Sequence, residues 1–300
     1  MPLDPLMAVI NGGLALLLSP LLEGIMRKLR ARIHSRIGPP ILQPYYDLLK
    51  LLGKEDLRAG DPWLGFAPIL ALGSTLTASL LIPLGGEAPL AGAGDLLVFL
   101  YFIGISTVAV IFMGMVSWSP YGFLGSAREM MVYLTVEPVL FITLITAAVH
   151  ARSLKLYDLV LWNQAMGPQI SMIIAAIAFF LVLQAQLGRL PFDIAEAETE
   201  IMGGPAVEIG GPKLALFKWT VHAKLLVFTS LFVEVFIPWP RAFLFVPDLA
   251  ITLGKVLLIV LLVAGIDAVN PRLRIDQAIV FFFGVTMVSL AGLALALVGS

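Results

Sequence analysis

The sequence contains no cysteine and only three histidines in 300 residues. Without cysteine the chain forms no disulfide, no thiolate metal site and no cysteine-held iron–sulfur cluster. His34, His150 and His222 provide no pair at the spacing of two ligands on one helix, which disfavours haem ligation. We therefore expect no metal site and no cofactor bound by this chain, and any redox centre would belong to a partner protein.

Charged residues are scarce as well. They make up 13% of the sequence, whereas soluble domains carry about 25%, and 59% of the residues are hydrophobic. This composition leaves too little polar surface to cover a water-exposed globule, so much of the surface must face lipid. It predicts an all-α polytopic integral membrane protein that forms one transmembrane domain over residues 1–300, with the lipid bilayer and no nucleic acid among its partners.

Eight apolar stretches are long enough to cross a bilayer core as helices, which takes roughly 20 residues. They lie at about 6–27, 66–83, 96–117, 130–149, 169–188, 216–237, 243–264 and 278–298. The first stretch is expected to be retained, because its basic residues follow it, whereas a signal peptide has them in front. The alternating pattern of membrane-barrel strands is absent, which favours helices.

The distribution of Lys and Arg predicts the orientation of these helices. Of the 19 such residues, fourteen lie on the side of four predicted loops, and only Arg152, Lys155 and Arg241 lie on the other side. The four loops are at about 28–65, 118–129, 189–215 and 265–277. Because basic loops stay in the cytoplasm, we expect these loops on the cytoplasmic side of the cell membrane and both termini outside.

The first of these loops contains a proline-rich turn followed by an amphipathic segment. Leucines alternate there with charged residues, a pattern typical of a short helix at the membrane interface or against a partner. The leucines are Leu48, Leu49, Leu51 and Leu52, and the charged residues are Asp47, Lys50 and Lys54. An ordinary surface helix without a special role is the alternative.

The segment from Arg189 to Glu208 is unusual because it contains five carboxylates within sixteen residues. They are Asp193, Glu196, Glu198, Glu200 and Glu208. If residues 191–202 form a helix, Asp193, Glu196 and Glu200 share one face, where like charges raise one another's proton affinity. A partly buried row of this kind is suited to passing protons near neutral pH. A solvated acidic helix is the alternative.

Two features favour a functional role for this acidic segment. It adjoins two predicted membrane helices, where ionisable residues mark ion pathways. Two pairs of glycines, Gly203 with Gly204 and Gly210 with Gly211, also bracket a loop. We expect these glycines to let the loop move.

The fourth predicted span contains the next candidates. Glu129 lies at its end, and Glu137 lies about two turns deeper, just before Pro138. A carboxylate at membrane depth is costly and therefore indicates function. Pro138 loosens the helix near Glu137, and Tyr133 lies on the same face, where it can hydrogen-bond to Glu137. The alternative is a neutral glutamic acid that pins two helices together.

Three further ionisable residues lie within predicted spans, namely Lys224, Glu234 and Lys255. Lys255 is near the middle of its span, so we expect it to face a carboxylate or water. Ion-path and structural roles both fit this pattern. Glu23 and Asp267 lie near helix ends, where an interfacial position is expected.

Several segments together resemble one family, the membrane-arm component shared by respiratory complex I (its H subunit) and the energy-converting, group 4 membrane-bound hydrogenases. The matching segments are Arg36-Ile-Gly-Pro with Leu-Gln-Pro and Lys-Glu-Asp56, Gly125-Ser-Ala-Arg-Glu-Met-Met131 leading to Glu137, Arg189-Leu-Pro-Phe-Asp-Ile-Ala-Glu-Ala-Glu-Thr-Glu200 leading to Glu208, and Pro271-Arg-Leu-Arg-Ile-Asp-Gln277. These segments follow one another in the same order as in members of the family, and they span nearly the whole chain.

The resemblance implies eight membrane helices that contact a hydrogenase-like large subunit and a small iron–sulfur subunit on the cytoplasmic side. Iron–sulfur clusters, and a nickel–iron centre in the hydrogenase form, would lie in these partners, with antiporter-like and small membrane subunits as neighbours. The predicted ion path comprises Glu129, Tyr133, Glu137, Asp193, Glu196, Glu198, Glu200, Glu208, Lys224, Glu234 and Lys255. The predicted partner interface comprises Arg36, Gln43, Asp47, Arg128, Arg189, Arg272 and Arg274.

Two departures from the complex I pattern favour the hydrogenase branch. An Ala-Leu-Arg-type sequence is replaced by the segment 125–131, and the glycine-rich stretch 203–212 lacks the aromatic residues of the complex I form. The resemblance thus implies a non-catalytic core subunit of a ferredoxin-linked redox complex of the hydrogenase type that moves protons or sodium.

Three alternatives remain open at this point. The quinone-chamber subunit of complex I is the nearest, and related sulfur-reducing complexes share the hydrogenase branch. An independent transporter is disfavoured because the sequence contains no convincing internal repeat. A passive anchor is disfavoured by the ionisable residues at membrane depth.

Overall fold

The structure is a computed structural model that describes residues 5–56, 63–84, 88–90, 95–241 and 245–299. The side chains of residues 5–7, 198 and 199 are outside this description, so the prediction for the Glu198 side chain lies outside the described residues.

All regular secondary structure within these ranges is helical, as predicted from the composition. The helices are α1 (Pro5–Ile33), α2 (Gln43–Leu52), α3 (Trp63–Ser79), α4 (Leu96–Val116), α5 (Pro120–Ala151), α6 (Leu156–Met166), α7 (Ile170–Gln186), α8 (Glu198–Ile201), α9 (Gly211–Phe236), α10 (Phe245–Val269) and α11 (Ile275–Val298), with a 3-10 turn at Gly204–Ala206.

Each of the eight predicted spans corresponds to a helix. By length and composition, α1, α4, α5, α9, α10 and α11 are long and apolar enough to cross a membrane. The other two, α3 and α7, have 17 residues each, which is the lower limit for a crossing helix and gives a length of about 25 Å at 1.5 Å per residue. The prediction of a multi-pass membrane protein is therefore confirmed.

The boundaries of α5 differ from the prediction. The loop expected at about 118–129 is helical from Pro120 onward, since Pro120 occupies the first turn after the N-cap Ser119, a position that suits proline. Arg128 and Glu129 consequently lie more than two turns inside α5. Helix α6, in the connection between α5 and α7, was also not predicted.

The short amphipathic helix expected in the first loop is α2. Its buried residues, Pro44 and Leu48, face the bundle, where α2 packs on α9 and α1. Leu49 and Tyr46 are exposed on its other side. The helix thus buries one apolar face against the chain and leaves apolar residues available on another.

Helix α9 forms the centre of the bundle. It contacts α1, α2, α3, α6, α7 and α10, and its residues from His222 to Phe236 are all buried. Phe232 stacks on Phe179 of α7 with ring centroids 5.8 Å apart. A polar residue between His222 and Phe236 is therefore enclosed by protein whichever way its side chain points.

The acidic loop, which we define as residues 187–210, is not the helix that was considered for residues 191–202. Only α8, which has four residues, is helical within that range. Pro191 interrupts regular structure at the start, and Gly203 and Gly204 adopt positive φ values of 93° and 55° at the end. The common face of Asp193, Glu196 and Glu200 therefore does not form.

Gly204 of the acidic loop and Gly211 at the start of α9 permit close packing. A Cβ atom on Gly204 would overlap the carbonyl oxygen of Ala195. A Cβ atom on Gly125 of α5 would lie 2.5 Å from the Cα atom of Gly204, and one on Gly211 would lie 2.6 Å from the carbonyl oxygen of Glu55. The loop is thus held against α5 by backbone contacts that only glycine permits.

Replacement of Gly125 tests this packing. We expect Gly125→Ala to lower the stability of the purified protein by about 1–3 kcal/mol, because the added methyl group meets backbone atoms that cannot rotate away. Thermal unfolding in detergent measures the change. Gly254→Ala in α10 is the control, since no atom lies within 4 Å of its added Cβ; equal melting temperatures for the two variants would contradict the prediction.

Candidate functional site

Glu196 of the acidic loop faces a cavity of about 50 Å³ inside the protein. Glu129 of α5, Gln186 at the end of α7 and Lys224 of α9 also line this cavity, as does Asp193. A buried water occupies roughly 10–15 Å³ on such a measure. The cavity is therefore polar and large enough for about three to five water molecules.

The surroundings of Glu196 change its protonation. Glu196 has solvent-accessible surface, yet protein atoms surround it and the carboxylates of Glu129 and Asp193 lie nearby. Burial, followed by these two negative charges, raises the pKa of Glu196 to about 7. The group therefore exchanges a proton near neutral pH.

A second, smaller cavity continues the polar region toward the middle of α5. It has a volume of about 10 Å³ and is lined by Thr107, Tyr133 and two residues that also line the first cavity, Glu129 and Gln186. Glu129 and Tyr133 are four residues apart, so they lie on one face of α5. The two cavities are thus neighbours that share a carboxylate and an amide.

Glu137 lies one further turn along the same face of α5. The Tyr133 hydroxyl contacts its carboxylate, as the sequence spacing predicted. Gln186 Nε2 of α7 lies 3.5 Å from Glu137 Oε2. Glu129, Tyr133 and Glu137 therefore form a row of polar groups that begins at the acidic loop and runs into the bundle.

Lys224 is the cation that faces this row. Its side chain is 8% exposed, and its Nζ atom donates a hydrogen bond of 3.0 Å to the Thr107 hydroxyl of α4. The charges of Glu129, Glu137 and Glu196 all act on it. We name Glu129, Tyr133, Glu137, Glu196 and Lys224 the acidic junction.

The acidic junction has an imbalance of charge. The charges of Glu129, Glu137 and Glu196 act on one ammonium group, and Glu129 and Glu137 are only partly exposed, so full ionisation would leave an excess of negative charge beside Lys224. Uncompensated charge is strongly disfavoured there. Binding of a proton by a carboxyl group would reduce this excess, and Glu196, whose pKa is about 7, can exchange a proton near neutral pH.

Other carboxylates of the acidic loop are paired at the surface. Asp193 Oδ2 accepts a hydrogen bond of 2.7 Å from Arg272, and Glu200 Oε2 accepts one of 2.7 Å from Arg128. The hydrogen bond from Arg128 lowers the pKa of Glu200. Glu208 accepts a hydrogen bond of 2.8 Å from the backbone N–H of Trp118. Among the predicted carboxylates of the loop whose side chains are described, only Asp193 and Glu196 reach the cavity.

The residues predicted for a partner interface fall into three groups. Arg128, Arg189 and Arg272 form ion pairs within the chain. Arg36 and Arg274 are exposed at the surface. Gln43 and Asp47 hydrogen-bond to each other on α2 with a distance of 2.9 Å, and Arg27 lies 3.3 Å from Asp47.

A network of buried ion pairs near the acidic loop was missed. Glu23 pairs with Arg27 at 3.1 Å and with Arg189, and Asp267 pairs with Arg30. Glu23 and Asp267 are buried, not interfacial as expected. The spacing of Glu23 and Arg27 by four residues was the available signal for the first pair, whereas the others join distant parts of the chain.

Glu234 and Lys255 belong to a separate cluster. Glu234 accepts hydrogen bonds from Arg241 and, at 3.0 Å, from Thr252. Lys255 Nζ donates to the carbonyls of residues 237 and 238 at 3.1 and 3.0 Å, beyond the C-terminus of α9, and the charges of Glu234 and Asp248 act on it. Ten residues of helix, or about 15 Å, separate Glu234 from Lys224, so these two predicted residues do not meet.

A large apolar groove lies beyond Glu137. It has a volume of about 930 Å³, runs between α3, α4 and α5, and is lined mainly by hydrophobic and aromatic residues such as Trp63, Phe112 and Phe141. Tyr133 and Glu137 provide polar groups in its wall. Among the described residues, no group of three or more His, Asp or Glu side chains is placed to hold a metal ion.

These features define a multi-pass helical membrane protein with ionisable groups buried between its helices. The profile of the family described as NADH dehydrogenase matches residues 6–298, and the chain belongs to this family. The family predicted from the sequence motifs is therefore confirmed.

Individual relatives include components of both hydrogenase and complex I assemblies. Formate hydrogenlyase subunit 4 of Escherichia coli is 34% identical over 268 residues, which cover 86% of this chain and 87% of that protein. The H subunit of NADH-quinone oxidoreductase from Brevibacillus brevis is 30% identical over 262 residues, which cover 84% of this chain and 78% of that protein.

A solved structure is also similar throughout. One chain of the membrane-bound sulfane sulfur reductase, an archaeal respiratory membrane complex, superimposes with a TM-score of 0.91 at 33% sequence identity. The match covers 97% of this chain and 98% of that chain. The relatives are thus membrane subunits of multisubunit redox complexes.

The raised pKa of Glu196 gives a pH-dependent signal. We expect Glu196 to be protonated below about pH 7 and ionised above it. The infrared band of protonated carboxylic acid should therefore decrease as the pH is raised, with a midpoint near pH 7. Glu196→Gln should remove this titration. Glu200→Gln is the control, because Glu200 has a lowered pKa and carries no proton at that pH. An unchanged titration in Glu196→Gln would contradict the assignment.

Proposed function

We propose that this chain is the core membrane-arm subunit of an ion-translocating redox complex of the energy-converting hydrogenase type. In this proposal the acidic junction links electron transfer in docked iron–sulfur partners to the movement of ions. The supporting observation is that Glu129, Glu137 and Glu196 lie around a single ammonium group, that of Lys224, beside cavities between the helices, because ionisable groups at membrane depth mark ion pathways.

The order of groups in the acidic junction supports a continuous path. Glu196 lies in the loop, Glu129 lines both cavities, and Tyr133 leads to Glu137 within the bundle. Water in the two cavities would connect groups that do not touch. A proton that enters at Glu196 would therefore reach the wall of the apolar groove, where neighbouring membrane subunits would continue the path.

The surface beside the acidic loop supports docking of the electron-transferring partner. A groove of about 450 Å³ there is lined by Arg128, Glu200, Arg272 and Arg274. Arg128 and Arg272 also hold Glu200 and Asp193 of the loop. A partner that changes its charge or position on this groove would compete for these arginines and so alter the charge near Glu196. Such coupling requires that the protein has two states, and that both the partner's state at the groove and protonation at the acidic junction favour one of them over the other.

Electrons would come from ferredoxin, and the partners would include a hydrogenase-like large subunit and a small iron–sulfur subunit. The similarity to a chain of the sulfane sulfur reductase complex favours a second candidate function. In this candidate the coupling mechanism is the same, but a sulfur compound is the final acceptor of the electrons. Isolation of the complex with its partners would distinguish the two: a large subunit with four cysteines that bind nickel and iron would identify a hydrogenase.

Substitution of Glu137 tests the ion path. We expect Glu137→Gln to leave the complex assembled but to reduce proton translocation per electron at least about tenfold, since an amide cannot accept and release a proton. Glu234→Gln is the matched control, because Glu234 is also a buried membrane carboxylate but lies outside the junction. Translocation in inverted vesicles measures the effect, and wild-type translocation by Glu137→Gln would refute the path.

We also propose that the acidic loop faces the cytoplasm and that both termini lie outside. Because the chain has no cysteine, single cysteines report topology without background. In intact cells a membrane-impermeant thiol reagent should label Lys155→Cys and should leave Lys50→Cys unlabelled until the cells are permeabilised. Both lysines are exposed, and the opposite labelling pattern would reverse the orientation.

A further inference from the structure

We propose that Lys224 is the resident cation of the acidic junction and makes it selective for protons over sodium ions. This inference rests on the proposed function and deepens it, because it names the ion that the junction accepts. It assigns Lys224 a role in ion selection that is different from proton transfer itself.

The position of Lys224 is the first support. Its side chain lines the cavity of about 50 Å³ together with Glu129 and Glu196. It is the only Lys or Arg among the described residues that line this cavity or the smaller one next to it. The ammonium group thus lies where carboxyl groups from α5 and from the acidic loop approach each other.

The bonding of Lys224 is the second support. An ammonium group has three donors, and the hydrogen bond found for Lys224 goes to the neutral hydroxyl of Thr107. Arg189 and Arg272, in contrast, bind carboxylates directly, those of Glu23 and Asp193. Lys224 therefore balances several carboxyl groups without being fixed to any one of them.

Sodium ions and protons bind to a protein in different ways. A sodium ion binds through several oxygen ligands that converge on it, and the cavity that Glu129 and Glu196 line is also lined by Lys224. A second cation there would be repelled at short range. A proton binds covalently to one carboxyl oxygen and needs no such space, so it can enter while Lys224 stays in place.

Sodium binding to the purified resting complex tests this inference. Equilibrium binding of radioactive sodium would be measured for the wild type, Lys224→Gln, Lys224→Met and the double variant Lys224→Gln with Glu129→Gln. We expect one additional sodium ion per complex in Lys224→Gln and Lys224→Met, because removal of the ammonium opens a site among the carboxylates. The double variant should bind as few ions as the wild type.

Two further variants serve as controls. Lys224→Arg keeps the positive charge and should bind as the wild type does, and Lys255→Gln removes an ammonium from the other cluster and should not add a site. Equal binding by the wild type, Lys224→Gln and Lys224→Met would overturn the proposal, as would loss of a sodium ion from the wild type on Glu129→Gln. Because no turnover is measured, the result is independent of whether Glu137 lies on the proton path.

Discussion

The structure depends on one constraint, namely that a charge enclosed between membrane helices must have a partner. Most enclosed charges here obey it by direct pairing: Glu23 binds Arg27 and Arg189, and Glu234 binds Arg241. Such pairs hold helices together because a break in one leaves an isolated charge in surroundings of low dielectric constant. The acidic junction is different, since three carboxyl groups share Lys224, and protons must supply the remaining neutralisation.

The two clusters on α9 differ in their balance of charge, and this difference supports the transport role that we propose for the acidic junction. Around Glu234, carboxylates and cations are matched, and the Lys255 ammonium is bound by backbone carbonyls near the C-terminus of α9, where positive charge is favourable. Around Lys224, carboxyl groups are in excess and water-sized spaces separate them. A cluster with equal numbers of carboxylates and cations is neutral without bound protons. A cluster with an excess of carboxyl groups becomes neutral only when some of them bind protons.

The acidic loop connects the surface to this unmatched cluster. Its backbone is held against α5 by the contact between Gly125 and Gly204, and its outer carboxylates are held by Arg128 and Arg272. Glu196 lies between these attachments and faces inward. These attachments connect the loop to the rest of the chain at its backbone and at its outer carboxylates, and in the proposed function a partner at the surface would act on Glu196 through them.

Much of the fold followed from the sequence alone, because lipid requires long apolar helices and penalises isolated charges. Span positions, the helix α2, the family and the contact of Tyr133 with Glu137 were all predictable from apolar length, periodicity and motifs. The tertiary structure decided which charges meet. Lys224 and Glu234 lie on one helix yet join different clusters, and Glu23 meets Arg189 across 166 positions of sequence. Local spacing reports neighbours within a helix, whereas cavities and distant ion pairs arise only when helices pack.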